Sequence, residues 1–306
     1  MFKPLAALPR PGRRFVIGLP FAWLLVFFFL PFLILVYISF VDMGNDIHPF
    51  KPLWDSASGL LHLKYENYLS ILRSPDGGAL LHTIYIEAYL RSVGYAFVTA
   101  VLCLFMGYPF AYFIARSATA VRPALLMMVM LPFWTSFLLR VYAWKGILAD
   151  QGVLNQVLLA LGLVNEPIQM LYTNVSMLVG MTYVYLPFMV LPLYANLVKM
   201  DFRLLEAAHD LGATPFKAFW LVTVPLSKAG IVAGFMLVFI PCVGEFVIPS
   251  LLGGPENITI GRVVWDEMFT ANNWPRASAL AVVMIALVVV PLALYHRHSG
   301  DQDGRG

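Results

Sequence analysis

Six long stretches of this chain are apolar and nearly free of charge, and polar segments separate them. A helix crosses the hydrocarbon core of a bilayer in about 20 residues, at about 1.5 Å per residue. The six stretches have about that length and cover 15–41, 92–115, 123–147, 174–198, 229–252 and 277–295. Arg140 and Lys145 interrupt the third stretch, and Glu245 interrupts the fifth. The pattern predicts an all-α polytopic membrane protein with six transmembrane helices.

Two of the apolar segments need a separate interpretation. The uncharged segment 151–165 has only 15 residues and contains two glycines, so we expect an interfacial or re-entrant helix there. The first stretch has 27 uncharged residues and no small-residue cleavage site, whereas the apolar core of a secretory signal has about 7 to 15 residues. We therefore expect a retained first span.

Basic residues are distributed unevenly between the two sides of these six spans. The side of the N-terminus carries 12 Lys and Arg, in segments 1–14, 116–122, 199–228 and 296–306. The other side is longer but carries only Lys51, Lys64, Arg73, Lys145 and Arg262. The positive-inside rule then predicts that the tails at 1–14 and 296–306, on either side of the transmembrane domain at 15–295, are cytoplasmic. We expect the tail at 296–306 to be disordered. The same rule also predicts a cytoplasmic loop at 199–228.

Proline is frequent inside the predicted spans. Each proline removes a backbone donor, which lipid tolerates only where neighbouring groups satisfy the freed carbonyls. The prolines are Pro20, Pro31, Pro109, Pro132, Pro187, Pro192, Pro241 and Pro249. They favour a bundle packed around a pathway, although kinks in an inert bundle would give the same pattern.

Composition agrees with a membrane protein and narrows the function. The chain is 60% hydrophobic and 12% charged, with a mean hydropathy of +0.78, against about 25% charged residues in soluble proteins. The net charge of +3 is too small to indicate nucleic-acid binding. Cys103 and Cys242 lie in apolar segments without metal-ligand spacing, so we expect buried thiols and no disulfide.

The segment LLEAAHDLGATPFKAFWLVTVPL at 204–226 is a polar insert between two predicted spans. Asp201 can cap a first helix and Gly212 can end it in the left-handed conformation. Thr214 and Pro215 then have the pattern of an N-cap and a first helical residue. The sequence predicts a helix, a tight turn and a second helix, with Pro225 marking the return to the membrane.

Small and aromatic residues suggest that this insert is a docking surface. The small residues permit close approach of another backbone, and the aromatic residues beside them supply apolar bulk. They are Ala207, Ala208, Gly212, Ala213, Phe216, Phe219 and Trp220.

The spacing in this insert resembles a known signature. Glu206-Ala207-Ala208, Gly212, Val222 and Val224-Pro225 are similar to the E-A-A-x3-G-x9-I-x-L-P signature of membrane subunits of ATP-binding-cassette (ABC) importers, with Val replacing Ile and Leu. The resemblance implies the MetI-like permease fold in a bacterial inner membrane. It also implies that Glu206, Ala207, Ala208, Gly212 and Pro225 couple the chain to a separate ATPase. An ordinary helix followed by glycine is the alternative.

This chain shows no motor or catalytic site of its own. A phosphate-binding loop needs G-x4-G-K-[ST], and no glycine here precedes such a lysine. No catalytic or metal-ligand constellation is evident either. We expect a transport subunit that is not an enzyme and binds no cofactor or metal, with ATP used by the partner ATPase subunits.

Three further segments resemble the permeases of spermidine/putrescine importers. They are LPFWTSFLLRVYAWKGIL at 131–148, YVYLPFMVLPLY at 183–194 and GEFVIPSLLGGPENITIGRVVWDEMF at 244–269. Permeases for ferric iron, thiamine or sulfate share parts of these segments, so those solutes remain alternatives. The resemblance implies four kinds of partner: a homologous permease, two ATPase subunits, a periplasmic binding protein and a polyamine.

A polyamine needs carboxylates and aromatic faces along its route. Glu245 lies inside the fifth span, where a charge is costly unless it is paired or hydrated, so we expect a functional role or an ion pair with Arg140. Asp150, Asp266 and Glu267 form an acidic entry or plain surface. The remaining candidates line the route or belong to the interfacial aromatic belt, and they are Tyr142, Trp144, Tyr183, Tyr185 and Trp265.

The resemblance implies alternating access driven by ATP on other subunits, and we expect the outer loop 42–90 to help seat the binding protein. A secondary transporter would show paired hydropathy halves or a charged relay, and the sequence has neither. A membrane enzyme would need the catalytic constellation that is not evident.

Overall fold

The computed structural model describes residues 13–44, 49–51, 53, 63–72 and 84–303. Regular structure in these residues is helical, and the one β-interaction among them is an isolated bridge between Met43 and Phe50. The all-α prediction is therefore confirmed. Residues 1–12 of the predicted tail at 1–14 and most of the predicted outer loop at 42–90 lie outside the described residues.

The helices follow the apolar pattern of the sequence. They are α1 (Arg13–Leu24), α2 (Leu30–Ser39), α3 (Glu66–Leu72), α4 (Ile84–Arg116), α5 (Arg122–Met130), α6 (Phe137–Leu148), α7 (Val153–Ala160), α8 (Asn174–Leu197), α9 (Arg203–Asp210), α10 (Pro215–Ala218), α11 (Val224–Leu226), α12 (Lys228–Val243), α13 (Val247–Leu252), α14 (Ile260–Trp265) and α15 (Trp274–Asp303). Shorter turns of π-helix occupy Leu25–Phe29, Phe219–Thr223 and Asp266–Thr270, and a 3₁₀ turn occupies Leu131–Trp134.

The chain forms two compact units, a terminal unit of residues 1–79 and 266–306 and a central unit of residues 80–265. In the terminal unit α2 and α3 pack against α15. The Asn67 side chain is buried there and donates to the backbone carbonyls of Ser39 and Val41, both at 3.0 Å. Asn67 thereby satisfies the Ser39 carbonyl, which the end of α2 leaves open, and the Val41 carbonyl just beyond that end.

The core of the central unit lies where α4, α8 and α12 pack on one another. Helix α8 contributes the largest buried side chains, which include Met177, Met181, Met189, Leu193 and Leu197. Cys103 and Cys242 are buried free thiols, as predicted.

Glycines allow the close approach of α12 to α8. Gly230 and Gly234 are one helical turn apart and both buried. A Cβ at Gly230 would lie 2.7 Å from Asn196 Cβ, and one at Gly234 would lie 2.7 Å from Met189 Sδ. This is the small-xxx-small packing that brings membrane helices together.

Several helices are long and apolar enough to cross a membrane. Ile17–Ser39, Ile84–Arg116 and Asn174–Leu197 meet this criterion as single helices, and two bent pairs raise the number from 3 to 5. Trp274–Val289 is a shorter apolar helix. This set is consistent with the predicted six spans, although the exact count remains a prediction.

The third predicted span, 123–147, is wrong as a single helix. The helices on either side of Thr135 and Ser136 differ in direction by 86°. The irregularity begins at Pro132, because proline has no backbone N–H to donate to the helix. Thr135 then adopts an extended conformation, and its hydroxyl donates to the Pro132 carbonyl at 2.7 Å.

Other boundaries also differ from the prediction. Helix α4 begins at Ile84 rather than at 92, and the fifth span is interrupted between Val243 and Val247. The segment 296–303, predicted as part of a disordered tail, continues α15 as helix. The short helix expected within 151–165 is present as α7.

Replacing Gly230 with alanine should destabilise the bundle. The new methyl group would meet Asn196 Cβ at 2.7 Å and the Pro192 carbonyl oxygen at 3.1 Å, and overpacking of this kind costs about 1–3 kcal/mol. Thermal unfolding of the detergent-purified chain should show a lower Tm. Gly94→Ala is the matched control, since a Cβ at Gly94 meets nothing within 4 Å. Equal melting temperatures for the two variants would contradict the close packing of α12 on α8.

Candidate functional site

The insert predicted from the sequence folds as a helix, a turn and a second helix. Helix α9 carries Glu206 in its first turn. The predicted cap at Asp201 is wrong by one position, because Phe202 is the N-cap, although the Asp201 carboxylate accepts a hydrogen bond from the Arg203 backbone N–H at 3.1 Å. The acids at this end complement the positive end of the helix dipole. Leu205 is the one residue of α9 that is buried, so it anchors the helix to the protein.

The turn after α9 depends on the backbone of Gly212. Its φ is +83°, in the left-handed region that residues with a Cβ rarely adopt. The Ala213 N–H donates to the Ala208 carbonyl at 2.9 Å, and the Gly212 N–H donates to the His209 carbonyl at 2.8 Å. This is the Schellman arrangement that closes a helix C-terminus. A Cβ at Gly212 would enter open space, so φ alone demands glycine there.

The second helix starts as predicted and extends further than predicted. Thr214 is the N-cap and accepts a hydrogen bond from the Lys217 N–H at 3.4 Å, and Pro215 is the first helical residue. Helical structure continues past Pro225 to Leu226 and then bends by 68° into α12. The bend, at Ser227, marks the turn toward the fifth span.

A buried contact fixes this bend. The hydroxyls of Ser227 and Tyr108 are 2.7 Å apart, and Phe219 packs edge-on against the rings of Tyr108 and Tyr112 at centroid distances of 5.4 and 6.0 Å. Phe219 was predicted to be part of the docking surface. It instead joins the insert to α4, because its position on the π-helical turn directs it inward.

The proposed coupling residues lie mostly on the outside of the insert. Glu206, Ala207, Gly212 and Pro225 are exposed and Ala208 is half-buried. Exposed apolar side chains surround them, and these are Leu211 at 90%, Phe216 at 73%, Leu221 at 72% and Trp220 at 53% exposure. Leu211 and Leu221 were not identified from the sequence. A leucine directly before a helix-ending glycine is the signal that indicates such a residue.

The second candidate site surrounds Glu245 in the break between α12 and α13. The Tyr185 hydroxyl donates to Glu245 Oε2 at 2.5 Å. Glu245 Oε1 accepts hydrogen bonds from the backbone N–H groups of Val247 at 3.0 Å and Ile248 at 3.4 Å. The carboxylate therefore satisfies the open donors at the start of α13. Gly244 is exposed and Glu245 is half-buried, so the break is accessible from outside the chain.

The alternative of an ion pair between Glu245 and Arg140 is wrong for this structure. The Arg140 guanidinium lies over the ring of Phe133 at 5.3 Å and near the ring of Phe137 at 5.9 Å. Its Nε and Nη1 are buried and donate no hydrogen bond to the described residues. Cation–π contacts, rather than a carboxylate, hold this arginine.

Aromatic pairs lie near both Glu245 and Arg140. Tyr185 is buried and its ring is 6.1 Å from Phe188, which packs edge-on against Phe133 at 5.1 Å. Phe246, directly after Glu245, stacks on Trp265 at 4.4 Å with an interplanar angle of 11°. Phe133, Phe188 and Phe246 were not predicted, because phenylalanine is too common in apolar segments to stand out.

The other predicted route residues have varied surroundings. Trp144 packs edge-on against Tyr183 at 5.5 Å, and Tyr142 is exposed on α6. Asp150 is exposed in the turn before α7.

Two of the three acidic residues predicted to form an entry or plain surface belong to the terminal unit. Asp266 and Glu267 open the π-helical turn of that unit. The Glu267 carboxylate is 3.8 Å from the Arg276 guanidinium. Glu267 is therefore part of an ion pair within its own unit.

A polar network that sequence reasoning missed holds the segment between α13 and α14. The Tyr95 hydroxyl lies 2.8 Å from Asn174 Oδ1 and 3.0 Å from Asn257 Oδ1. The Ser92 hydroxyl accepts from the Ile260 N–H at 2.7 Å. Within the described part of the chain, no group of three or more His, Cys, Asp or Glu residues could hold a metal ion.

The chain is similar to known transport proteins over nearly all of its length. Residues 10–299 match the family described as binding-protein-dependent transport system inner membrane component. The spermidine/putrescine transport system permease protein PotB of Haemophilus influenzae is 34% identical over 286 residues, which cover 93% of each chain. PotB of Escherichia coli K12 is 36% identical over 277 residues, covering 90% of this chain and 94% of that protein.

Solved structures with low sequence identity share the fold. A crystal structure of a bacterial ABC transporter involved in the import of the acidic polysaccharide alginate matches with a TM-score of 0.61 at 17% identity, covering 94% of both chains. The alginate transporter in complex with a pentasaccharide-bound periplasmic protein matches with a TM-score of 0.62 at 17% identity, covering 95% of this chain and 94% of that one. This chain therefore belongs to the family of inner-membrane components of binding-protein-dependent transport systems, and it has the fold of an ABC importer permease.

Proposed function

We propose that this chain is the permease subunit of an ABC importer that carries polyamines across the bacterial inner membrane. The observation that carries the proposal is the insert, in which an exposed Glu206-Ala207-Ala208 helix is closed by the left-handed turn at Gly212. A helix presented in this way, with exposed apolar side chains around it, provides a surface for another protein. The relatives named for spermidine and putrescine support the substrate.

The coupling mechanism follows from how the insert is attached. Helix α9 and its exposed surface join α12 through the Ser227 bend, which the Tyr108 hydroxyl and the Phe219 ring hold against α4. Force applied to Glu206, Ala207 or Ala208 would therefore be transmitted to two spans at once. Closure of two ATPase subunits would open the route outward, where a periplasmic binding protein delivers the polyamine.

The proposed assembly contains a second, homologous permease, two ATPase subunits and a binding protein. The loop 199–228, the segment 1–14 and the segment 296–306 would face the cytoplasm. ATP would be bound and hydrolysed by the ATPase subunits alone. The route would use Glu245 and Tyr185 with the Trp265 and Tyr183 aromatic pairs, while Asp150 and Tyr142 would lie toward its outer end.

Changing Glu206 to lysine should release the ATPase. The substitution places a positive charge in the first turn of α9, where the helix dipole disfavours it, and removes the carboxylate from the docking surface. Co-purification of the ATPase subunit with the tagged permease should fall at least about tenfold, which corresponds to about 1.4 kcal/mol.

Glu166→Lys is the matched control, because Glu166 is also exposed but lies between the third and fourth predicted spans, on the side opposite the insert and therefore predicted to be periplasmic. The docking assignment would be refuted by a Glu206→Lys complex that retains its ATPase and transports normally.

Substitutions at Gly212 should weaken the coupling of ATP hydrolysis to transport, least for asparagine, more for alanine and most for valine. A left-handed φ costs a residue with a Cβ about 1–2 kcal/mol, asparagine tolerates it better, and a β-branched residue tolerates it worst. Polyamine-stimulated ATP hydrolysis in proteoliposomes measures the effect.

Gly162 supplies the control for backbone strain, since its φ is +67° and a Cβ there also meets open space. Gly162→Val should lower thermal stability without a selective loss of coupling. If both valine variants lose coupling equally, Gly212 has no special role in docking.

The substrate is tested in the same proteoliposomes, with the permease pair, the ATPase and the binding protein present. Labelled putrescine and spermidine should accumulate with ATP inside, whereas ferric iron, thiamine and sulfate should not compete. Accumulation of one of those solutes in place of polyamines would identify a permease of another specificity, and uptake without ATP hydrolysis would identify a secondary transporter.

A further inference from the structure

The break in the fifth span concentrates negative charge in an accessible place. Helix α12 has 16 residues and ends at Val243, so the negative end of its dipole points at the break. The Glu245 carboxylate lies in the same break. Discontinuous membrane helices bind cations with such helix ends and unwound carbonyls.

The Glu245 charge is held by neutral donors only. Its three partners are the Tyr185 hydroxyl and the backbone N–H groups of Val247 and Ile248. Among the described residues, the ion pairs involve other carboxylates, and Arg140 binds aromatic rings instead. An intramembrane carboxylate without a cation is costly, and a charged ligand would remove that cost.

The hydrogen bonds also limit which cation fits. A carboxylate has about four acceptor positions, two on each oxygen. Val247 and Ile248 occupy both positions on Oε1, and Tyr185 occupies one on Oε2. One position on Oε2 remains open.

An ammonium and a guanidinium differ in what they need from a carboxylate. An ammonium is a compact charge that can bind through a single N–H, whereas a guanidinium binds best with two parallel N–H groups on two oxygens. Oε1 cannot take part in such a fork, because backbone groups of α13 fill it.

We propose that the break between α12 and α13 is a binding site for a primary ammonium group, which takes the open position of Glu245 in preference to a guanidinium. Tyr185 is a positioning residue that keeps Oε2 restricted to one ligand. Phe246 and Trp265, stacked beside the break, offer a face for the methylene chain that follows the ammonium. The inference rests on the proposed function, since the ammonium belongs to the transported polyamine.

The test measures equilibrium binding to the permease pair with its ATPase in nanodiscs, without the binding protein. Labelled 1,4-diaminobutane is the ligand, and 1,4-diguanidinobutane, with the same chain and charge, is the competitor. The wild type should bind the diguanidine at least about tenfold more weakly than the diamine, because the second N–H of the guanidinium fork finds no acceptor. A loss of about tenfold is the difference expected for one unmade charge-assisted hydrogen bond. Comparable affinities for the two ligands in the wild type would overturn the inference.

Three variants separate the site from general stability. Glu245→Gln retains an acceptor for the α13 backbone but loses the charge, so it should bind the diamine at least about tenfold more weakly. Tyr185→Phe opens a second position on Oε2, so the preference for ammonium should narrow while diamine binding persists. Glu87→Gln is the control, because Glu87 already pairs with Arg91 at 2.5 Å and lies outside the break.

Diamine binding that is unchanged in Glu245→Gln would overturn the site, and a preference that is unchanged in Tyr185→Phe would overturn the positioning role. If the Glu245→Gln complex fails to assemble, the ligand preference of the wild type and of Tyr185→Phe decides whether the ammonium site exists. ATP-driven polyamine uptake by the wild type distinguishes failure of the ammonium site from failure of the proposed function. Uptake without the binding pattern refutes this inference alone, whereas absence of uptake refutes the proposed function as well.

Discussion

In a bilayer, every backbone N–H and C=O group needs a partner within the protein, because no water is available in the hydrocarbon region. Helices meet this requirement along their length, so the backbone groups that a helix break leaves open need other partners, and side chains can supply them. In the central unit, the Glu245 carboxylate accepts from the backbone at the start of α13, and the Thr135 hydroxyl donates to the Pro132 carbonyl. The Ser227 and Tyr108 hydroxyls are hydrogen-bonded at the bend into α12. The two candidate sites lie at breaks of this kind, at Glu245 and beside Ser227.

The sequence predicted the features that follow from length and local chemistry. Apolar runs indicated the spans. The turn of the insert and the start of its second helix were predicted correctly because caps and turns are local signals, as Gly212 and Thr214 show. The sequence did not predict the 86° bend after Pro132, because a proline in a membrane helix is compatible with either a kink or a break. Nor did it predict the partner of Glu245, because charge alone favoured Arg140, whereas packing brought the Tyr185 hydroxyl to the carboxylate.

The site residues illustrate the same distinction. Glu206, Ala207, Ala208 and Gly212 form a motif contiguous enough to recognise, and the structure places them together on an exposed helix and turn. The route residues come from α6, α8, the break and α14, so only tertiary packing decides which of them meet. The stack of Phe246 on Trp265 joins residues far apart in sequence, and no local pattern indicates it.

The central proposal is that the insert faces the cytoplasm and docks there on a separate ATPase subunit. Its most direct test is a single engineered thiol, His209→Cys, in the exposed helix α9, since the native Cys103 and Cys242 are buried. A membrane-impermeant maleimide should label this thiol in inside-out vesicles and leave it unlabelled in intact spheroplasts, with the reverse result for Glu166→Cys. Labelling of position 209 from the periplasmic side alone would contradict the account.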